Sequence, residues 1–517
     1  MKLSILLLFT LHVTLYTSSK STPYPLYAIE FGVEFPIDKQ RAKILTDHFD
    51  AYFGSIEVSK DIAQHTKTLD PDFEYVRYVG RWTVGSEARE TIENGQRDQV
   101  LHYLLGELAE PIAPDTTTFK VANLYGTLPD NSTLNETDVW LRVEDEWMRI
   151  TSATGKQVTV ERAWDNSTAS AHSKGASILA PVVGSKTKIR NGKLALRHDT
   201  ASRLRWQEVL EEALKHNREN DAATWIDILM GNFASYTLGG ETVPMNSGRQ
   251  WNFQTWSPYS EDDLAEETEK AITWIQNRYR DVTGEWPTIW ANNMEFPQSP
   301  DSPRLQMLLP SEHLPRPLDG FAMENMYAHW GYGGGSGKNF MWVPEDEWIE
   351  HLQSLMLMGE LKVNARPLMF DGGIDNLKFA RLPHNERERL INYGYASYLM
   401  GVKVEPDGSI YTKLGSCPIA MIDDKPQLHI YDCFTWDIGH PIETRLSSDA
   451  LGYRIPNSSV FIRRFENGIV LVNPSAEQSN PIQLPDTEKT LIDPTIKTPA
   501  STTLSLGPRT GKILLLR

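Results

Sequence analysis

Apolar runs of strand length alternate along the chain with amphipathic stretches of helix length, and the two periods separate the elements. "YPLYAIEFGV" (24 to 33), "FDAYFGSI" (49 to 56) and "FEYVRYVG" (73 to 80) read as strands, with helix-compatible segments at 38 to 47 and 58 to 68 between them. This β-α-β-α-β opening predicts parallel strands. The rhythm resumes after Lys193 with helices at 202 to 220, 260 to 284, 344 to 362 and 385 to 401. Strands fall at 223 to 233, 286 to 295, 318 to 325, 365 to 373 and, last, "QLHIYDCF" at 427 to 434. Ser260 and Asp263 suit a helix N-terminus. Eight strand candidates alternating with helices predict a (β/α)8 TIM barrel over residues 20 to 455, with a doubly wound sheet as the other architecture that alternation allows.

Two stretches depart from this rhythm. Residues 115 to 185 are rich in Thr, Val and Ser with period-two segments, which predicts a small β module inserted in the barrel, led into by helix-like "GSEARETIENGQRDQVLHYLLGEL" (85 to 108). Within it, "ITSATGKQVTVERA" reads as a hairpin turning around Thr154 and Gly155. The pattern "EWMRIT…G…VTVERAWDNSTASAHSKGA" resembles short β modules of phage and bacterial surface proteins, a likeness of structure and not of chemistry. From 456 to 517 helix patterns vanish and a C-terminal antiparallel β domain is expected, with Asn467 and Gly468 as the turn of "RFENGIVLVNPS".

Charge and composition narrow the function. A net charge of −17 over 517 residues argues against a nucleic-acid partner, which needs a basic footprint. Fifteen Trp and nineteen Tyr supply flat rings of the kind sugars stack on, although most Trp in a large protein are core. Residues 1 to 19 read as a secretory signal peptide, because the apolar run from Leu3 to Tyr16 is too short to span a bilayer; the alternative is an uncleaved anchor. The protein is then secreted, or periplasmic in a bacterium, with no membrane association after signal removal. In a eukaryotic host Asn131, Asn135, Asn166 and Asn457 are glycosylation sequons. Cys417 and Cys433 form either one disulfide or two buried thiols. Two cysteines make no zinc site and no His pair has ligand spacing, so neither a metal nor another cofactor is expected. "GYGGGSGKNF" (331 to 340) departs from a phosphate loop at Tyr332 and Asn339, and reads as a loop beside the site.

Catalytic groups of such barrels sit at the carboxyl ends of the strands, where Glu30 or Glu34, Asp227, Glu295, Glu324 and Asp371 occur. Any one of these acids could merely cap a helix or pair with an Arg. Two of them, Asp227 after "TWI" and Glu324 after "GFAM", stand in apolar settings beside Trp225, Trp290, Tyr327 and Trp330. Glycoside hydrolysis needs two carboxyl groups flanking one bond, one donating a proton and the other acting as nucleophile or activating water. Glu324, among Met323, Met326 and Tyr327, is expected to hold its proton, while Asp227, with Asn232 and Asn292 expected nearby in the fold, stays ionised. Asn292 and Asn293 offer amides to sugar hydroxyls, and Glu295 and Asp371 offer acceptors.

In this order, "ATWIDIL", "WPTIWANNME", "LDGFAMEN", "ARPLMFDGG", "NYGYASYLMG", "YDCFTWDIGHPIE" and "RRFENGIVLVNPS" resemble the TIM-barrel glycoside hydrolases related to the polygalactosaminidase-like barrels. The family's strand-four pattern is Asp-Gly-x-x-x-Asp; here Ala222 and Ala223 replace the leading pair and Asp227 keeps the final acid. By the further likeness to α-galactosidase-type barrels, the resemblance implies Asp227 as nucleophile, Glu324 as acid/base, and an α-linked poly- or oligosaccharide substrate. A secreted carbohydrate-binding or adhesion protein on a degenerate barrel is the rival reading. An esterase would need a nucleophile elbow, and the chain contains no G-x-S-x-G.

Overall fold

The computed structural model describes residues 23–30, 37–54, 58–79, 84–85, 97–125, 128, 139–182, 194–195, 197, 211–220, 222–226, 235–236, 242–243, 250–293, 296–297, 299–323, 326–330, 340–367, 369, 379–416, 419–422, 425–487 and 489–517. The expected signal peptide, the glycine-rich loop before Phe340, and the sequons at Asn131 and Asn135 lie outside these residues. Among the described residues no helix is long and apolar enough to cross a membrane.

The fold is mixed α/β, organised on eight parallel strands: β1 (Leu26–Glu30), β2 (Ala51–Gly54), β3 (Glu74–Val79), β4 (Ala222–Ile226), β5 (Ile289–Asn293), β6 (Gly320–Met323), β7 (Ala365–Pro367) and β8 (Leu414–Ser416). Their spatial order is β7-β6-β5-β4-β3-β2-β1-β8. The two outer strands approach each other: Ala365 N donates to Tyr411 O, Lys413 N to Ala365 O and Met369 N to Gly415 O, which nearly closes the sheet. Both faces are buried. Tyr27, Ile29, Ala51, Phe53, Val76, Ala223, Trp290 and Ala322 form one cluster on the inner face, and Leu26, Ala28, Tyr52, Tyr75, Ile289, Ala291, Phe321 and Met323 join the larger core on the other. Burial on both faces is why these strands read as continuous apolar runs.

The helices are α1 (Lys39–His48), α2 (Lys60–Leu69), α3 (Glu211–Glu219), α4 (Glu261–Thr283), α5 (Glu345–Glu360) and α6 (His384–Gly401). A reciprocal capping box between Ser260 and Asp263 starts α4, and Gly284 ends it at φ 78, a conformation that favours glycine. The last expected strand is corrected. Residues 427 to 434 do not enter the parallel sheet: Lys425–Leu428 pairs with Ile419–Ile422 in a hairpin and Asp432–Thr435 is a 3-10 turn. Their apolarity reflects burial of Tyr431, Cys433 and Phe434 in the core. The eighth strand is instead the three-residue β8, paired with β1.

Between β3 and β4, strands His102–Leu108, Thr118–Ala122, Trp140–Val143, Glu146–Thr154, Gln157–Glu161 and Ser177–Pro181 close an antiparallel barrel. The helix-like lead-in is corrected over 102 to 108, where a strand with His102, Tyr103, Leu105 and Leu108 buried stands in its place. A strand buried on both faces shows no clean alternation and mimics a helix in sequence. The hairpin turns at Gly155, with Thr154 facing Gln157. Arg162 meets Glu146 through Nε at 2.6 Å and Nη2 at 2.7 Å, and Nε2 of buried His172 lies 2.8 Å from Glu146 Oε2. Asn166 and Asn457 are exposed, at φ 63 and 60.

The C-terminal sheet joins Phe461–Phe465, Gly468–Asn473, Leu491–Asp493, Thr498–Pro499 and Thr510–Leu516 with antiparallel pairings. Phe465 pairs with Gly468, so its first turn is Glu466–Asn467, one residue earlier than expected. Buried Arg463 donates from Nη1 to the carbonyls of Leu399, Met400 and Val402, capping the C-terminus of α6 from the neighbouring domain.

Candidate active site

The carboxyl ends of β4 to β7 are built on a filled interior. Trp290, on β5, donates its indole N–H to Glu74 Oε1 at 3.2 Å, and the edge of Phe53 packs on it at 5.8 Å. Its ring lies against Gly320, where a Cβ would collide with it. Arg366, 2 % exposed, sets its guanidinium 4.1 Å from the ring centre of Tyr27 and 4.4 Å from that of Trp290. Its Nη1 donates to Ala365 O at 3.0 Å and to Tyr411 O at 3.3 Å. Burial pushes the Glu74 carboxyl above its ordinary pKa, against the opposing pull of Arg366 and the Trp290 N–H. The same burial raises the Tyr27 phenol, again against Arg366.

The acids named by the sequence follow these strands: Asp227 directly after Ile226, Glu324 directly after Met323, and Glu295 and Asp371 shortly after Asn293 and Pro367. All four lie outside the described residues. Asn292 and Asn293 are strand residues at the end of β5, and Trp330 ends the strand Ala328–Trp330, which pairs with Phe340–Trp342; their side chains lie outside the description. The neighbouring backbone is laced together. Tyr327 N donates to Met369 O at 3.4 Å and Val343 N to Tyr327 O at 3.3 Å, joining the connections that follow β6 and β7.

Two expected substrate-binding aromatics are corrected. Trp290 and Tyr327 are each 1 % exposed, and a ring enclosed in the core offers no face for a sugar to stack on. Trp290 belongs to the interior just described; Tyr327 packs edge-on to Tyr393 at 6.3 Å, its phenol pushed well up by burial. Of the two alternatives for the cysteines, Cys433 has the form of a buried free thiol, enclosed in the main core, and Cys417 lies outside the described residues. Among the described residues no group of three His, Cys, Asp or Glu could hold a metal.

Sequence reasoning missed His351, which lies on α5, is 4 % exposed, and donates from Nδ1 to Met326 O at 2.7 Å. Its ring centre lies 3.6 Å from that of Phe296. Burial pulls its pKa down to about 4, outweighing the bond to Met326, so the ring is neutral at pH 7. The available signal was its place in the apolar stripe Trp348, His351, Leu352, Leu355. Glu74 and Arg366 were missed too, as polar residues inside runs that otherwise read as buried strand.

No protein-family profile and no curated protein matches the sequence. Among solved structures, a pyruvate kinase from Cryptosporidium parvum is 8% identical with a TM-score of 0.27, covering 77% of this chain. Cryptosporidium parvum pyruvate kinase in complex with ADP is 8% identical with a TM-score of 0.29, covering 78% of this chain. The chain spans 64% of the length of each of these. Likeness at this level carries no argument about fold or activity.

Proposed function

We propose that the parallel sheet is the core of a (β/α)8 TIM barrel and that the chain is a secreted glycoside hydrolase acting on an extracellular poly- or oligosaccharide, with α-linkages favoured by the family resemblance. The observation that carries this reading is the strand parity. Ala223, Trp290 and Ala322 share the inner face of the sheet. Period two carried along the sequence from these residues reaches Asp227, Asn292 and Glu324. The pairing of Ile226 with Ala291, and of Ala291 with Phe321, supports bringing the ends of β4 and β6 to either side of β5.

In this reading Glu324 gives its proton to the glycosidic oxygen as the bond to the anomeric carbon breaks. Asp227 either bonds to that carbon, forming an ester that water then hydrolyses, or takes a proton from the attacking water. Asn292, Asn293, Glu295, Asp371 and Trp330 remain for substrate binding. Burial of Trp290 and Tyr327 removes two rings that a hydrolase and a carbohydrate-binding protein could equally have used, so the choice of the hydrolase rests on the two acids. The test is turnover by the secreted protein of 4-methylumbelliferyl α- and β-glycosides and of a polysaccharide panel, beside Asp227→Asn and Glu324→Gln. Glu324→Gln should lose about 10²- to 10⁴-fold on polysaccharide and less on the activated glycosides, whose leaving group needs little protonation. Turnover unchanged in both variants overturns the assignment.

A further inference from the structure

We infer that His351 is a positioning residue, a single buried ring that ties the connection leaving β5 to the connection leaving β6 and so holds the backbone that neighbours Glu295 and Glu324 in the sequence. The inference deepens the hydrolase reading and rests on it for the role of Glu324. Its Nδ1–H donates at 2.7 Å to the carbonyl of Met326, two residues beyond Glu324. Its ring face meets Phe296, the residue after Glu295, at 3.6 Å with the planes tilted by 35°. The two contacts use different parts of the imidazole, one a polar edge and the other an apolar face.

The ring is itself well held. His351 sits on the buried face of α5, beside Leu352 and one turn from Trp348 and Leu355. Among the described residues Glu347, one turn back on α5, faces its other nitrogen at 3.7 Å from Nε2, beyond hydrogen-bond reach. Burial keeps the ring neutral at pH 7, so Nδ1 carries the one ring proton toward Met326 and places no cation beside the connection that carries Glu324. Beyond Met326 the lacing continues, since Tyr327 N donates to Met369 O on the far side of β7. A shift at His351 therefore moves the backbone following two neighbouring strands together, and displacement of a catalytic group by about 1 Å can cost about 10²-fold in rate.

Two substitutions in the full-length protein separate the two contacts. His351→Asn keeps a donor that can reach Met326 O and loses the ring face; His351→Phe keeps the face and loses the donor. Hydrogen exchange is read on peptides covering 321–330 and 289–297, with the melting temperature as a folding control. The Tyr327 amide should exchange about fivefold faster in His351→Phe, the weight of one net hydrogen bond, and stay near wild type in His351→Asn. The 289–297 peptide should respond in the opposite way. On the glycoside that wild type turns over, His351→Phe should lower kcat about tenfold or more at constant KM, with rescue in His351→Asn. Wild-type exchange in both peptides for both variants overturns the inference. If exchange changes as stated while Glu324→Gln turns over like wild type, the clamp stands and the hydrolase reading fails.

Discussion

In the inserted barrel, Glu146 receives two bonds from Arg162, backbone N–H groups from Ala163 and Ser170, and a ring nitrogen of His172. Inside the parallel sheet, Glu74 takes the indole N–H of Trp290, while Arg366 spreads its guanidinium over the faces of Tyr27 and Trp290. Burial alone would push both carboxyls up. At Glu146 the bonds from Arg162, His172, Ala163 and Ser170 outweigh it and bring the pKa down to about 2. At Glu74 burial wins over Arg366 and Trp290, and the pKa stays raised. The first cluster is a saturated network that specifies one small fold; the second keeps a carboxyl with few partners in the sheet interior. Glu74 is the first residue of β3, at the amino end of the sheet and away from the carboxyl ends that carry the candidate site, and its burial costs stability with little local return.

The comparison is most exposed to Arg162→Met. That change leaves Glu146 buried without its two-point partner and should cost about 3–5 kcal/mol, read by urea unfolding at neutral pH. Glu74→Gln in the same assay should cost less than about 1 kcal/mol, because an amide can still accept from the Trp290 indole. Equal losses would erase the distinction between the two clusters. Gly320→Ala pushes a Cβ into the Trp290 ring and should cost about 1–3 kcal/mol, with a changed near-ultraviolet signal from that indole. A wild-type melting temperature would mean that the interior is looser than the contact implies.

The smallest effect is a difference in sign with pH. Glu146 is depressed from 4.5 to about 2, so its stabilisation is complete above 4.5 and is lost as pH falls through about 2. Glu74 is raised above 4.5, so whatever stability it adds is complete below 4.5 and fades as pH rises through its raised value. Thermal unfolding across the acid range should therefore show the deficit of Glu146→Gln shrinking toward low pH. Glu74→Gln should lose ground to wild type in the same direction.

The same physics decides what could be read from the chain. "YPLYAIEFGV" and "GFAM" announce strands because parallel strands buried on both faces are apolar throughout, and the Ser260/Asp263 capping box announces α4 by chemistry local to its own turn. Leu414–Ser416 had no such signal: three residues containing Gly and Ser show no period, and strand pairing with Leu26–Ala28 is a tertiary fact. That strands end at Ile226 and Met323, the residues that precede Asp227 and Glu324 in the sequence, could be seen from their apolar runs. The role of Trp290 could not, since an aromatic near a strand end looks the same whether it lines an opening or fills the interior beneath one. His351 was hidden for the reason that it is effective: a lone histidine on an apolar helical face carries no pattern of its own.

The separation of the Asp227 and Glu324 carboxyl groups in a crystal structure tests the central claim most directly. The two-carboxylate account predicts about 5–5.5 Å, with retention of anomeric configuration, or about 6.5–9.5 Å, with inversion. Carboxyl groups more than about 12 Å apart, too far to flank one glycosidic bond, would contradict it.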